Sequence, residues 1–347
     1  MNPVIDVKTT TVDRKRRKWR QPQNDDENDD VCGTCDEFHA NFVVGERLGV
    51  GGNGAVYAAT TVRGRRRVLD DGGSGDDDDD GETPVAVKFV ERHKSNWTRR
   101  PNGRSVPVEY HAMRRLEHVD GVVRAFRYFD ADYSGDVVAI VMERPAGNVV
   151  DLQRYLDERR RLRGRPLAPL VAKQIFRNVL LTVSDVHDAG VDHCDLKPAN
   201  ILVDVDTLCV RLIDFGSARL LRDDVASTAR VGTPYYFPPE CWLGEPYLPR
   251  PAAVWSLGVV LYQILYTGVG GDGSGGRGDS EPFATHEDRL AARVRFPVCL
   301  DVTPSPIAEC LVRECLTLNP VDRPTIDEIL RHPYMKPNFA LRQRAES

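Results

Sequence analysis

The sequence predicts an α+β fold in two lobes: a small antiparallel β-rich lobe over residues 40–144 and a larger, mainly helical lobe over residues 145–337. From Phe42 to Val90, short segments rich in β-branched residues (FVVGERL, AVYAATTV, PVAVKFV) are punctuated by glycine. Beyond Pro145 the texture turns helical, as in LAPLVAKQIFRNVLLTVSDVHDAG. A length of 347 residues suffices for two lobes, each with its own core.

Taken in order, residues 1–39 read as a disordered charged tail, because RKRRKWR at 14–20 is followed by DDENDD at 25–30 with little apolar content. The basic run is either a nuclear import signal or a solvated stretch. Between the second and third strands, RGRRRVLDDGGSGDDDDDGE at 63–82 has too little apolar surface to bury and reads as an inserted loop. A helix is expected in VPVEYHAMRRLEH, then strands in VVRAFRYFD and VVAIVME. The uncharged run at 252–270 is long enough to raise a membrane span, but it carries Ser256, Gln263, Thr267 and glycines, so a buried central helix is the better reading. GVGGDGSGGRGDS at 268–280 reads as a second inserted loop, and 338–347 as a C-terminal tail.

Hydrophobic residues make up 41% and charged residues 29%, which argues against wholesale disorder and against a membrane protein. A net charge of -5 does not suggest a general nucleic-acid binder. Eight cysteines without a framework, and no apolar segment after Met1, predict a reducing interior: the cytoplasm, and the nucleus if residues 14–20 are read as an import signal. The sequon at Asn96-Trp97-Thr98 is then idle. Cys32 and Cys35 form one CxxC without a second pair nearby, which reads as chance rather than as a redox or zinc motif.

The segment from Leu48 to Val56 (Leu48, Gly49, Val50, Gly51, Gly52, Asn53, Gly54, Ala55, Val56) matches GxGxxGxV. It has strands on both flanks, whereas a dinucleotide fingerprint needs a helix after the third glycine. Such a hairpin can lie over phosphates with its amides close to them; an ordinary hairpin is the bland alternative. Lys88 ends an apolar strand, where a buried ammonium requires an anion, either Glu109 on the following helix or a phosphate. In HCDLKPAN and LIDFGSA, Asp195, Asp214 and the carboxamide of Asn200 offer a base and hard oxygen ligands suited to Mg²⁺ on a triphosphate.

Together these segments, with GTPYYFPPE, VWSLG and DRPT, resemble the eukaryotic protein kinase superfamily over about residues 40–337. Within it the chain is similar to the PIM serine/threonine kinases, through SNW, PNG and VPVE (95–109), ERP (143–145), PPE, AAVWSLG and HPYM. The resemblance implies the bilobal protein kinase fold and ATP-dependent phosphotransfer to Ser/Thr hydroxyls of protein substrates by a monomer. It assigns Asp195 to the substrate hydroxyl, Lys197 to the transferred phosphoryl group, and Asn200 and Asp214 to Mg²⁺. Lys88, fixed by Glu109, would clamp the α and β phosphates. Lys197 and Thr233 resemble the serine/threonine rather than the tyrosine enzymes. Met142 stands at the gatekeeper position, and three residues beyond it Pro145 has no N–H to donate to adenine. One hinge bond, to the Glu143 carbonyl, then remains, with apolar contacts from Leu48, Val56, Ala86 and Leu202.

Departures from the family pattern carry their own expectations. Cys194 replaces the arginine that commonly pairs with an activation-loop phosphate, so activity is expected without that phosphorylation even if Ser227 or Thr228 is modified. PIM enzymes select basic peptides through acids on the large lobe. Asp151 matches one such position, whereas Arg154 and Ala199 replace two others, with Asp272, Asp279, Glu281, Glu287 and Asp288 as potential substitutes. Alanines 252 and 253 stand where the pattern usually has an aspartate, and Glu240 and Arg323 are expected to form a structural ion pair. The alternatives to an enzyme are a pseudokinase that signals through its surfaces and an adaptor that acts through its tail and inserts.

Overall fold

The computed structural model describes residues 32–52, 54–63, 69, 81–100, 103–163, 167–221, 225–266, 281–296 and 305–336. The basic run 14–20, Asn53, most of the insert 63–82, all of the insert 268–280 and the tail 338–347 lie outside the described residues.

The chain departs from expectation at its first described element. Residues 35–39, assigned to the tail by their charge, open helix α1 (Cys35–Asn41). Thr34 Oγ1 accepts the Glu37 N–H, and the Glu37 carboxylate accepts the Thr34 N–H, a reciprocal capping box that satisfies two end groups. Phe38 then buries against Phe42 and Phe129, so one aromatic anchor and two caps outweigh the local charge.

Strands β1 (Phe42–Gly51), β2 (Gly54–Thr61) and β3 (Pro84–Glu91) follow in antiparallel register. A small hairpin, β4 (Trp97–Arg99) with β5 (Ser105–Pro107), leads into α2 (Val108–Arg115). Strands β6 (Ala125–Asp130) and β7 (Val137–Glu143) complete a five-stranded sheet of order β1-β2-β3-β7-β6. Each pairing is antiparallel, with register shifts between Val44 and Gly49 in β1 and between Ala125 and Arg127 in β6.

The larger lobe opens with β8 (Val149–Asp151), α3 (Leu152–Arg163) and α4 (Pro169–Asp188). Short strands β9 (Val191–Asp192), β10 (Ile201–Asp204), β11 (Val210–Leu212) and β12 (Arg219–Leu220) carry the polar motifs between them. They pair as β11-β10-β8 and as β12-β9. Helices α5 (Pro239–Leu243), α6 (Pro249–Tyr266), α7 (His286–Leu290), α8 (Pro306–Cys315) and α9 (Ile326–Arg331) follow.

The apolar run expected as a central helix is α6: Trp255, Leu257, Val259, Val260, Leu261 and Tyr262 are fully buried, and among the described residues no helix is long and apolar enough to cross a membrane. Glu240 and Arg323 make a buried two-pronged pair, Nη1 to Oε1 at 2.7 Å and Nη2 to Oε2 at 2.8 Å. One continuous core runs from Ala86, Ile140 and Met142 in the small lobe to Trp255 and Leu311 in the large one, which fixes the sheet above the polar loops.

Candidate active site

Lys88 projects from β3 and is only 5% exposed, a burial that a lone ammonium would not tolerate. Its Nζ lies 2.7 Å from both Glu109 oxygens on α2 and 2.7 Å from Asp214 Oδ1, which follows β11. Burial lowers the Lys88 pKa, but the two carboxylates outweigh it and hold the ammonium above its ordinary value. Burial likewise pushes Asp214 up, and Lys88 reverses this, so its carboxyl stays below the usual range. Burial raises Glu109 despite the facing ammonium, with Asp214 adding to the rise. One cation shared by two carboxylates leaves negative charge at Asp214, the more exposed of the two.

Asp195 forms a second centre. Its Oδ2 accepts Lys197 Nζ at 2.7 Å and Asn200 Nδ2 at 3.0 Å, and its Oδ1 accepts the Thr233 N–H at 2.7 Å. Lys197 also donates to Thr233 Oγ1 at 2.6 Å, which ties the loop to the activation segment. Asn200 Nδ2 donates as well to the Asp195 carbonyl, so Oδ1 is the oxygen Asn200 can offer a cation. The Asp195 N–H donates to His193 Nδ1 at 3.2 Å, so the ring proton sits on Nε2, 3.0 Å from the Ile213 carbonyl. His193 thereby couples the Asp195 loop to the segment after β11 that carries Asp214.

The glycine-rich segment is the tip of the β1–β2 hairpin. A Cβ added at Gly51 would stand 4.0 Å from Asp214 Oδ2, so the tip lies over the carboxylate. At Gly54, φ is +155° and a Cβ would collide with the Phe89 carbonyl, so only glycine fits there. Gly49, Val50, Gly52 and Ala55 share this hairpin; Asn53 lies outside the described residues. Leu48 and Val50 are exposed, Val56 and Leu202 are half-buried, and Ala86 is buried beside Met142. Glu143 ends β7 with its carboxylate bound to Arg211 at 2.9 Å.

The structure thus brings Lys88, Glu109 and Asp214 into one contact network, and Asp195, Lys197 and Asn200 into another. Four further groups were not assigned a site role from sequence: His193, Thr233 as a partner of Asp195 and Lys197, Asn96, whose Nδ2 donates to the Gly216 carbonyl at 2.9 Å, and Gly232. Gly232 has φ +100°, and a Cβ there would strike the Cys194 carbonyl. His193 opens HCDLKPAN and Gly232 opens GTPYYFPPE, and that position was their one available signal. Asn96 is too far from Gly216 in sequence to announce the contact.

Of the acids considered for peptide selection, Asp151 and Asp288 have partners within the chain. The Asp151 carboxylate accepts the Arg154 N–H at the start of α3, and Arg154 pairs with Glu158 at 2.9 Å. Asp288, offered as a substitute acid, is engaged by Arg293 at 2.8 Å and by Thr285. Asp272 and Asp279 lie outside the described residues.

The protein kinase domain family matches residues 76–335, beginning after the glycine-rich hairpin that the sheet pairing supplies. The chain is 33% identical over 300 residues to serine/threonine-protein kinase prk-2 of Caenorhabditis elegans, an alignment that spans 86% of this chain and 59% of that protein. It is 30% identical over 309 residues to serine/threonine-protein kinase pim-2 of Danio rerio, which covers 86% of each chain. It is also 29% identical over 273 residues to serine/threonine-protein kinase tousled-like 2 of Homo sapiens, spanning 74% of this chain and 33% of that protein. The chain belongs to the protein kinase family, and its relatives place it among the serine/threonine protein kinases.

Proposed function

We propose that the chain transfers the γ-phosphoryl group of ATP to serine and threonine hydroxyls of protein substrates, with Mg²⁺ as cofactor. The observation that carries this reading is the pair of charge networks, Lys88 shared by Glu109 and Asp214, and Asp195 joined to Lys197, Asn200 and Thr233. Asp195 orients the substrate hydroxyl and accepts its proton, while Lys197 neutralises charge on the phosphoryl group in flight. Lys88 holds the α and β phosphates, and the amides of the glycine hairpin cover them. Asp214 and Asn200 present hard oxygens that would hold Mg²⁺, which would supply neutralisation of negative charge on the phosphates.

Adenine packs between Leu48, Val56, Ala86 and Leu202 and bonds to the Glu143 carbonyl. Pro145 supplies no second hinge bond, so affinity rests more on the phosphates than on the base. Cys194 leaves the loop without its phosphate-reading arginine, so activity is PIM-like in not requiring activation-loop phosphorylation. Selection of basic peptides is weakened, because Arg154 and Ala199 stand where acids would read arginines.

The test uses purified protein, labelled ATP and a peptide library with fixed Ser or Thr acceptors. The wild type transfers label, before and after phosphatase treatment. EDTA, Lys88→Met and Asp195→Asn each lower the rate at least about 100-fold. Equal label from all three proteins contradicts the proposal.

A further inference from the structure

We propose that Asp192 is a positioning residue for phosphotransfer: its buried carboxylate fixes the left-handed turn at Cys194 that aims Asp195 at the acceptor hydroxyl. The function of that turn rests on the phosphotransfer reading above. Its geometry does not.

Cys194 has φ +61°, a conformation that a non-glycine residue keeps only where its surroundings enforce it. Two groups enforce it. From one side Asp192 Oδ1 accepts the Cys194 N–H at 3.2 Å, and Oδ2 accepts the Sγ–H at 3.3 Å. From the other, the backbone of Gly232 packs so close to the Cys194 carbonyl that no Cβ fits between them. The Cys194 peptide is clamped, and one residue on, the Asp195 carboxylate reaches Thr233 and Lys197.

Asp192 is 6% exposed on β9, where an apolar residue would cost no desolvation. A buried carboxylate in that place is explained by the donors it receives. His187 Nε2 lies 3.9 Å from its Oδ1, and across the two-stranded ladder Asp192 faces Arg219 of β12, so the same short strand joins the Asp195 loop to the start of the activation segment. A cavity of about 40 Å³ beside the turn is lined by Asp192, Cys194, Ala252 and Ala253. At that cavity both alanines of α6 offer only methyl groups. The acceptor for the turn comes from β9 instead.

The experiment compares wild type, Asp192→Leu and Asp192→Asn, since the asparagine carbonyl still accepts the Cys194 N–H. Asp192→Leu is expected to lower kcat about 10- to 100-fold, with KM for ATP within about twofold, because a carboxylate displaced by an ångström spoils orientation without touching the phosphate grip. Asp192→Asn should restore kcat to within about threefold of wild type. Protein labelled with ¹⁵N-cysteine gives a second readout that needs no activity. The Cys194 amide proton, assigned by its loss in Cys194→Ser, should lie downfield in wild type and Asp192→Asn and move upfield in Asp192→Leu.

Three results would overturn the proposal: Asp192→Leu at full kcat, kcat and ATP affinity falling together in both variants with a lowered melting temperature, or an amide resonance indifferent to Asp192→Leu. If the wild type itself transfers no phosphate, the kinase reading fails separately, and the resonance still decides whether Asp192 holds the turn.

Discussion

At the scale of single residues, the site is organised by burial of charge. Lys88 holds its proton because two carboxylates outweigh desolvation, and it keeps Asp214 ionised. Cys194 shows the reverse effect. Burial, with Asp192 and its hydrogen bond adding, pushes its thiol well above the ordinary cysteine value, so a smaller fraction is thiolate at any given pH. In native protein at pH 8, alkylation should mark the exposed Cys209 first and leave Cys194 unmodified until denaturant is added. Peptide mapping by mass spectrometry checks this; Cys194 labelled as fast as Cys209 would contradict it. The same residue shows a limit of sequence reading. Cys194 is visible as a substitution, but the role of Asp192 emerges only with the backbone angle between them, which no spacing encodes.

At the scale of elements, each motif residue is held by a local structure whose cause is identifiable. The β1–β2 hairpin needs glycine at residue 54 because the Phe89 carbonyl occupies the Cβ position. The Glu240–Arg323 pair fastens α5 to the segment before α9, and removing either partner would leave a buried charge at a cost of about 3–5 kcal/mol. Helix α1 is a separate case, since it supports the sheet from outside the site. Phe38→Ala should destabilise the protein by about 3–5 kcal/mol while leaving KM for ATP unchanged, as denaturant unfolding and steady-state kinetics would show. An unchanged unfolding midpoint would mean that α1 is dispensable. Strands and long helices were legible because their apolar periods of two and 3.6 survive in the sequence. The helix α1 was misread because charge dominates its composition, although Thr34 and Glu37 already spelled a capping box.

At the scale of the whole molecule, one core joins the sheet to the helical lobe, and His193 links the loop that carries Asp195 to Ile213, the neighbour of Asp214. Asp195, Lys197 and Asn200 were legible from residue type at short spacing, and Lys88, Glu109 and Asp214 through the motifs of the protein kinase resemblance. The Asn96–Gly216 and Asp195–Thr233 contacts were not, because they join segments far apart in the chain, the first across the two lobes and the second between loops of the large lobe. Under the proposed function these networks hold a nucleotide triphosphate with its metal. Isothermal titration of the full chain with ATP checks this: saturable heat with Mg²⁺, weakened at least about tenfold by EDTA or by Lys88→Met, is expected. Heat that is absent, or the same with and without Mg²⁺, would contradict it.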